Sequence, residues 1–196
     1  MPLKIRKAKM KDVREIHKLL NHFAEKKELL ARSLSELYEN LQQFFVAEDT
    51  GHVVGCCSLS VTWDNLAEIK ALAVAGDYQG RGIGRKLLQA CLNDAQGLGV
   101  TRIFTLTMKD GFFQKLGFKN IAKHFLPHKI WTECVRCPYF PETCVEIAMT
   151  IDLAVSDRRM DSSDSGLPDA VMGPLEMMVP SEPKAGVQPK LSGRRR

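Results

Sequence analysis

The pattern of apolar and polar residues over the first 153 residues predicts a series of strands and helices. Apolar residues recur every three or four positions from Val13 to Phe23, which indicates a helix, and Ser33 with Glu36 forms a capping box before a second one. A third helix is predicted to end near Leu98 and a short one to cover residues 110–115. Strands are predicted from residue 3 and at 44–47, 53–59, 67–74, 102–106 and 145–151, with 44–47 and 53–59 as a hairpin.

The composition of the chain changes near residue 154. Five of the nine prolines lie beyond this point, together with serines and glycines, and aromatic residues are absent there. Such a segment buries too little apolar surface to offset its conformational entropy. We therefore predict a folded domain at residues 1–153 and a disordered C-terminal tail at residues 154–196, with a short docking motif at residues 171–179 as the alternative.

Composition and charge narrow the class of protein. The 196 residues are 44% apolar and 26% charged, which is ordinary for a globular protein, and their net charge is +5. The positive charge is too dispersed for a nucleic-acid interface but suits an anionic ligand. Neither a membrane-spanning apolar run nor a secretory signal is recognisable. These features predict a cytoplasmic protein without nucleic-acid or membrane partners, and they leave a homo-oligomer open.

A glycine-rich turn between a strand and a helix is the strongest local signal. Gly80, Gly82 and Gly84 precede basic residues, and a helix N-terminus with exposed backbone N–H groups binds phosphate. Lys86 is followed by leucine rather than by a hydroxyl residue, so this is not a nucleoside-triphosphate loop. The spacing G-x-G-x-G also differs from the dinucleotide fingerprint. The pattern that does fit is Q-x-x-G-x-G, from Gln79 to Gly84.

This motif resembles the acetyl-CoA signature of the GNAT superfamily of N-acetyltransferases. The order of predicted elements is similar as well, so the resemblance implies the GNAT fold, an α/β fold whose mixed, mostly antiparallel central sheet is flanked by helices. It also implies that the strand backbone and the turn bind acetyl-CoA, with a backbone N–H near Leu72 facing the thioester oxygen. The alternative is a tight strand-to-helix turn in another α/β protein. The implied cofactor residues are Leu72, Ala73, Val74, Gln79, Gly80, Arg81, Gly82, Ile83, Gly84 and Arg85.

The residues before the turn supply a candidate general base. Several superfamily members use a glutamate at the strand position of Glu68, and the period of a strand places Glu68 and Lys70 on one face. A neighbouring ammonium favours the ionised carboxylate, so we expect proton transfer through a water. A solvated ion pair is the alternative. Phe113 stands where many members have a tyrosine acid. A thiolate is a tolerable leaving group, so we expect that water or the proton of the substrate ammonium suffices to protonate it.

Further stretches resemble the short, single-domain bacterial N-acetylglutamate synthases over residues 3–153. They include residues 30–33, 66–74, 112–118, 128–131 and 134–138. The resemblance implies that L-glutamate is acetylated for arginine biosynthesis, with Arg32 and Lys70 as the cations for its carboxylates. Arg32 could equally be an exposed arginine before a helix cap. The alternatives are another small amine, a protein N-terminus, or a regulator that senses acetyl-CoA, metal or redox state.

The six cysteines fall into two groups. Cys56, Cys57 and Cys91 lie in apolar strand or helix patterns and are predicted to be buried. The other three form C-x2-C-x6-C, and with His128 they could complete a structural zinc site. A redox pair, a disulfide or simple packing are the alternatives. The candidate zinc ligands are Cys134, Cys137, Cys144 and His128.

Overall fold

A computed structural model of the chain describes residues 3–126, 134, 135, 137, 139 and 142–154. His128 lies outside these residues, as does nearly all of the predicted C-terminal tail. None of the described helices is both long and apolar enough to cross a membrane.

A mixed sheet of the described strands forms the centre of the fold. The strands are β1 Lys4–Lys7, β2 Phe44–Asp49, β3 His52–Trp63, β4 Leu66–Val74, β5 Arg102–Thr107, β6 Lys119–Ile121 and β7 Ile147–Asp152, and the helices are α1 Val13–Glu25, α2 Leu34–Glu39, α3 Ile83–Gly97 and α4 Asp110–Gln114. The seven strands lie in the order β1-β2-β3-β4-β5-β7-β6. The parallel pair β4–β5 joins two antiparallel parts. The predicted mixed, mostly antiparallel sheet is confirmed.

Helices cover both faces of the sheet. The apolar stripes of α1 and α2 pack on one face against Val46 and Cys56, whereas α3 packs on the other face against Cys57 and Leu59. The adjacent residues Cys56 and Cys57 thus belong to different cores, as the alternation of side chains along a strand requires. Cys56, Cys57 and Cys91 are 0% exposed, which confirms their prediction as buried hydrophobes.

The structure differs from the sequence-based prediction mainly at short elements and at the ends of elements. Strand β6 is not predicted, because its three residues are largely exposed and carry little apolar periodicity. Strand β7 begins at Ile147, two residues later than predicted. The capping box before α2 is present, because Ser33 Oγ accepts from Glu36 N–H and the Glu36 carboxylate accepts from Ser33 N–H.

A β-bulge interrupts β4 at Ala71. Cys56 pairs with Ala73 and Ser58 pairs with Lys70, so Ala71 and Leu72 stand opposite the single residue Cys57. The φ of Ala71 is +51°, which is uncommon for a residue with a side chain and marks local strain. The extra residue inverts the alternation of side chains along the strand. Ala73 therefore packs towards α1, although an uninterrupted strand would turn it towards α3.

Strands β4 and β5 separate after Glu68, in the direction of the bulge. Their parallel pairing covers only Leu66–Arg102, Ala67–Ile103 and Glu68–Phe104, although both strands continue further. Beyond this point Thr105 Oγ1 donates to the carbonyl oxygen of Ile69 at 3.0 Å. The separation opens a cleft between two strands whose backbone polar groups face it.

Candidate active site

The cleft between β4 and β5 has a volume of about 530 Å³. The outer half of β4 and the start of α3 form one wall, and residues 105–109 with the aromatic side chains of α4 form the other. This arrangement combines exposed strand backbone with a helix N-terminus. It can therefore hold an extended chain against β4 and an anionic group at the start of α3.

Two glycines give the turn before α3 its shape. Gly80 and Gly82 have φ of +74° and +75°, and Gly82 is the N-cap residue of α3. Gln79 fixes the turn from the other side, since its Nε2 donates to the carbonyl oxygen of Val74 at 2.9 Å. The hydroxyl of Tyr78 donates to Asp49 at 2.9 Å and ties the turn to β2. The first backbone N–H groups of α3, which lack partners within a helix, are thereby directed at the cleft.

Nine of the ten predicted cofactor residues line the cleft. Arg81 is the exception, because its guanidinium lies over the Tyr78 ring, 5.1 Å from the centroid. The opposite wall, which includes Lys109, was not predicted from the sequence. Lys109 could have been found from the strand-to-helix junction at residues 107–110, which mirrors the junction before α3.

A second cavity of about 100 Å³ adjoins the cleft on the α1 side of the sheet. It brings together the three predicted residues Glu68, Lys70 and Arg32. Glu68 is only 7% exposed, and its carboxylate is 3.1 Å from Lys70 Nζ. The alternative of a solvated surface pair is therefore wrong for Glu68. A buried carboxylate with a fixed cation at its side is suited to accept or relay a proton.

Asn21 of α1 positions the backbone of Arg32. Its Oδ1 accepts from Arg32 N–H at 3.1 Å, and its Nδ2 donates to the Arg32 carbonyl oxygen at 3.2 Å. Arg32 and Lys70 also line a third cavity of about 80 Å³ whose other lining residues include Asn40, Gln43 and the serines of β3. Arg32 and Lys70 thus line both of these small cavities.

Glu146 is a site residue that the sequence analysis missed. Among the described charged residues, only Lys70 and Glu146 line both the second cavity and the cleft. Burial raises the pKa of Glu146, and the charge of Lys123 only partly opposes this. A lone acidic residue just before an apolar strand was the available signal. From the sequence alone Glu146 is predicted only as part of the last strand, and its place at the cleft depends on which strands lie beside it.

Phe113 is a packing residue, as predicted. It is 4% exposed, and its ring meets those of Phe112 and Phe118 edge to face at 5.1 and 5.2 Å. The tyrosine position of many superfamily members is therefore filled by a side chain without a proton to donate.

The three cysteines of the C-x2-C-x6-C segment line the second cavity as free thiols. The described residues contain no group of three His, Cys, Asp or Glu side chains that could hold a metal ion. Cys144 Sγ instead lies 3.2 Å from Lys123 Nζ, a cation that would repel a metal. The zinc prediction is thus unsupported for Cys134, Cys137 and Cys144, and its fourth ligand, His128, lies outside the described residues.

Comparison with known proteins identifies the family. The model of the acetyltransferase (GNAT) family matches residues 10–118. An uncharacterised N-acetyltransferase of Chlorobaculum tepidum is 37% identical over 145 residues, which cover 74% of this chain and 93% of the relative. An amino-acid acetyltransferase of Mycobacterium tuberculosis is 37% identical over 135 residues, which cover 67% of this chain and 77% of that relative.

A solved structure shares both the fold and the kind of ligand expected in the cleft. N-acetylglutamate synthase from Neisseria gonorrhoeae, complexed with coenzyme A and N-acetyl-glutamate, superimposes with a TM-score of 0.71 at 27% identity. The match covers 79% of this chain but only 36% of that protein, so this chain corresponds to one part of the larger enzyme. The chain therefore belongs to the GNAT family and is an acyltransferase that uses acetyl-CoA.

Proposed function

We propose that this protein transfers the acetyl group of acetyl-CoA to the α-amino group of L-glutamate, the first step of arginine biosynthesis. The observation that carries the proposal is the pair of cations, Arg32 and Lys70, beside the buried carboxylate of Glu68 at the end of the cofactor cleft. Glutamate has two carboxylates and one amine to be deprotonated, and the cavity offers two cations and one base. The names of the relatives support an amino-acid acceptor.

In the proposed reaction both substrates are bound together and the amine attacks the thioester directly. The coenzyme A diphosphate binds at the start of α3, and its pantetheine arm extends along Leu72 and Val74. A backbone N–H near Leu72, freed from regular pairing by the bulge, donates to the thioester oxygen as negative charge develops there. Glu68 takes the proton of the ammonium group through a water.

Glu146 supplies the proton for the departing thiolate. Its carboxyl group lies where the cavity for the amine meets the cleft for the cofactor, which is where the thioester must lie. The phenol of Tyr78 donates to Asp49 instead, and Phe113 has no proton to give. Since burial raises the pKa of Glu146, the group retains its proton at a higher pH than an exposed glutamate does.

Glu146→Gln is expected to lower kcat by about 10²-fold or more, because a positioned general acid contributes roughly 10²–10⁴-fold. The wild-type rate should fall as the pH rises through the raised pKa of Glu146, since the acid works protonated. The variant should lack this alkaline decline. The measurement is a kcat profile from about pH 3.5 to 10, which spans the pKa of an ordinary carboxyl group and of a raised one. The exposed residue Glu142 provides a matched control, and an unchanged profile for Glu146→Gln would exclude the acid role.

Gly82→Ala is expected to weaken acetyl-CoA binding by roughly 5–30-fold, because the left-handed backbone costs a residue with a side chain about 1–2 kcal/mol. A Cβ at Gly82 would meet no atom within 4 Å, so the effect would come from backbone strain and not from a clash. Gly76→Ala is the matched control, since its Cβ also enters open space but its φ is not in the left-handed region. Calorimetric titration with acetyl-CoA measures both, and equal dissociation constants would contradict the assigned turn geometry.

The proposed acceptor is tested by measuring thiol release from acetyl-CoA with a panel of amines. L-Glutamate, L-aspartate, L-glutamine, L-arginine and a short peptide with a free N-terminus are compared by kcat/KM. L-Glutamate is expected to be the best substrate. Preference for another amine would reject the glutamate assignment but retain the acetyltransferase class. Absence of turnover with every amine, despite acetyl-CoA binding, would favour a sensor. Cytoplasmic residence stays a prediction, and a homo-oligomeric state stays open.

A further inference from the structure

The cysteines of the C-x2-C-x6-C segment are unused by the proposed reaction, yet all three line the cavity that holds Glu68 and Lys70. Cys134 and Cys137 are partly exposed free thiols. The backbone N–H of Cys137 donates to the carbonyl oxygen of Cys134 at 2.9 Å. A backbone hydrogen bond between residues three positions apart keeps their two Cα atoms within about 7 Å, the range in which a disulfide can form.

We propose that Cys134 and Cys137 form a thiol–disulfide switch that closes the acceptor cavity when low-molecular-weight disulfides accumulate. The inference rests on the proposed function, because it assigns the cavity to the acceptor. Oxidation joins two sulfur atoms at about 2.0 Å and rearranges one wall of a cavity of about 100 Å³. The carboxylates of the acceptor then lose their fit to Arg32 and Lys70, whereas the cleft for acetyl-CoA is left intact.

The exchange needs only the disulfide itself as oxidant. The thiolate of Cys137 attacks one sulfur of the small disulfide, which forms a mixed disulfide and releases one thiolate. The thiolate of Cys134 then attacks the sulfur of Cys137, which forms the intramolecular disulfide and releases a second thiolate. The two protons of the cysteine thiols go to the two released thiolates. The protein loses two electrons and the small disulfide gains them.

The order of the two attacks follows from the surroundings of Cys134. Burial raises the pKa of its thiol, and the charges of Glu146, Cys144 and Glu68 act in the same direction while Lys123 opposes them. The thiolate is the reacting form, so a raised pKa slows the attack of Cys134 on a disulfide in solution. It reacts more readily in the second step, in which the mixed disulfide is already beside it.

The adjoining cleft suggests one source of the small disulfide. Glu146 and Lys70 line both spaces, so a coenzyme A sulfur at the inner end of the cleft lies beside the cavity that contains the thiols. The disulfide of coenzyme A would therefore be delivered by the cofactor site, whereas oxidised glutathione would have to enter unaided. Both carry the same chemistry, and their rates distinguish the two sources.

The test treats the full-length protein with either disulfide at equal concentration and removes the excess by gel filtration. Peptide mass mapping should find a Cys134–Cys137 disulfide. Acetylation of glutamate, followed by mass spectrometry of the product, should fall by about tenfold or more, while acetyl-CoA binding changes little. Dithiothreitol should restore the rate. Faster closure by coenzyme A disulfide assigns entry through the cleft, and equal rates assign unassisted exchange.

Two variants separate the pair from the third thiol of the cavity. The double variant Cys134→Ser, Cys137→Ser should show the same rate before and after treatment, whereas Cys144→Ser should still respond. Loss of the response in Cys144→Ser, or a mapped disulfide that leaves glutamate acetylation unchanged, would overturn the switch while the acetyltransferase survives. If the double variant folds poorly, the switch is still tested by the peptide mass map and by the change in the wild-type rate on treatment. Without any glutamate turnover in the reduced protein, the proposed function fails instead.

Discussion

Glu68→Gln is expected to lower kcat/KM for glutamate by about 10²–10⁴-fold, the usual contribution of a general base. The amide has the shape of the carboxylate but cannot accept the proton of the ammonium group. Glu68 is held at one geometry by burial and by the 3.1 Å contact with Lys70, so little freedom exists for another group to replace it. Acetyl-CoA binding should be retained, because Glu68 does not line the cofactor cleft.

The pH dependence makes this prediction specific to a base. Without Glu68, attack depends on the small fraction of amine that is free in solution, so the residual rate should rise with pH over the range in which the wild-type rate is flat. Initial rates with saturating acetyl-CoA measure the profile. A residual rate within threefold of wild type, or a parallel profile, would reject Glu68 as the base.

Arg6→Ala is expected to lower the free energy of unfolding by about 3–5 kcal/mol, because it leaves a buried charge without its partner. Arg6 donates to both carboxylate oxygens of Asp12 at 2.6 and 2.9 Å, and also to Glu48. Asp12 is only 4% exposed and immediately precedes α1. The pair thus fastens the start of α1 to the edge of the sheet, and the same helix carries Leu20 to the acceptor cavity.

Thermal unfolding measures this effect as a fall of roughly 6–20 °C in Tm for a protein of this size. The matched control is Arg102→Ala, whose ion pair with Asp152 is equally short at 2.6 Å but is 58% and 69% exposed. Such a surface pair contributes only about 0–1 kcal/mol. Comparable losses of Tm in the two variants would show that the contact near Arg6 is not buried in solution.

Acid should reduce the difference between wild type and Arg6→Ala. Burial alone would raise the pKa of Asp12, but the hydrogen bonds from Arg6 and from Lys9 N–H more than offset it and hold the pKa below its usual value. A depressed carboxyl pKa stabilises the folded state above the unfolded pKa, and this contribution is lost as the pH falls through the folded pKa. The Tm difference should therefore be constant near neutral pH and shrink in strong acid.

The sequence predicts the cofactor side of the site better than the acceptor side. The turn from Gln79 to Gly84 is local, since its geometry depends on glycines that tolerate positive φ and on a helix that starts beside them. Arg32, Glu68 and Glu146 come from three separate segments, and only the sheet order brings them together. The resemblance supplied the first two, whereas no local pattern marks a glutamate that faces a cleft formed by strands far away in sequence.

The bulge at Ala71 also escapes the sequence pattern. The run from Leu66 to Val74 reads as a regular strand, and alanine has no preference for a left-handed backbone. The surrounding pairs Cys56–Ala73 and Ser58–Lys70 impose that conformation. The position of Arg81 outside the cleft lining escapes the sequence for a related reason, because the motif gives its place in the turn but not its stacking on Tyr78.

Three residue pairs hold β4 to β5, and this short seam joins the two antiparallel halves of the sheet. Few hydrogen bonds need to break for the halves to move apart, so we expect local opening there to cost less than global unfolding. A bound cofactor that contacts both walls of the cleft would stabilise the pairing of β4 with β5, and this stabilisation would be lost when the cofactor dissociates. Hydrogen exchange at the amides of residues 102–104 should then slow on addition of acetyl-CoA, while exchange in the hairpin of β2 and β3 stays the same.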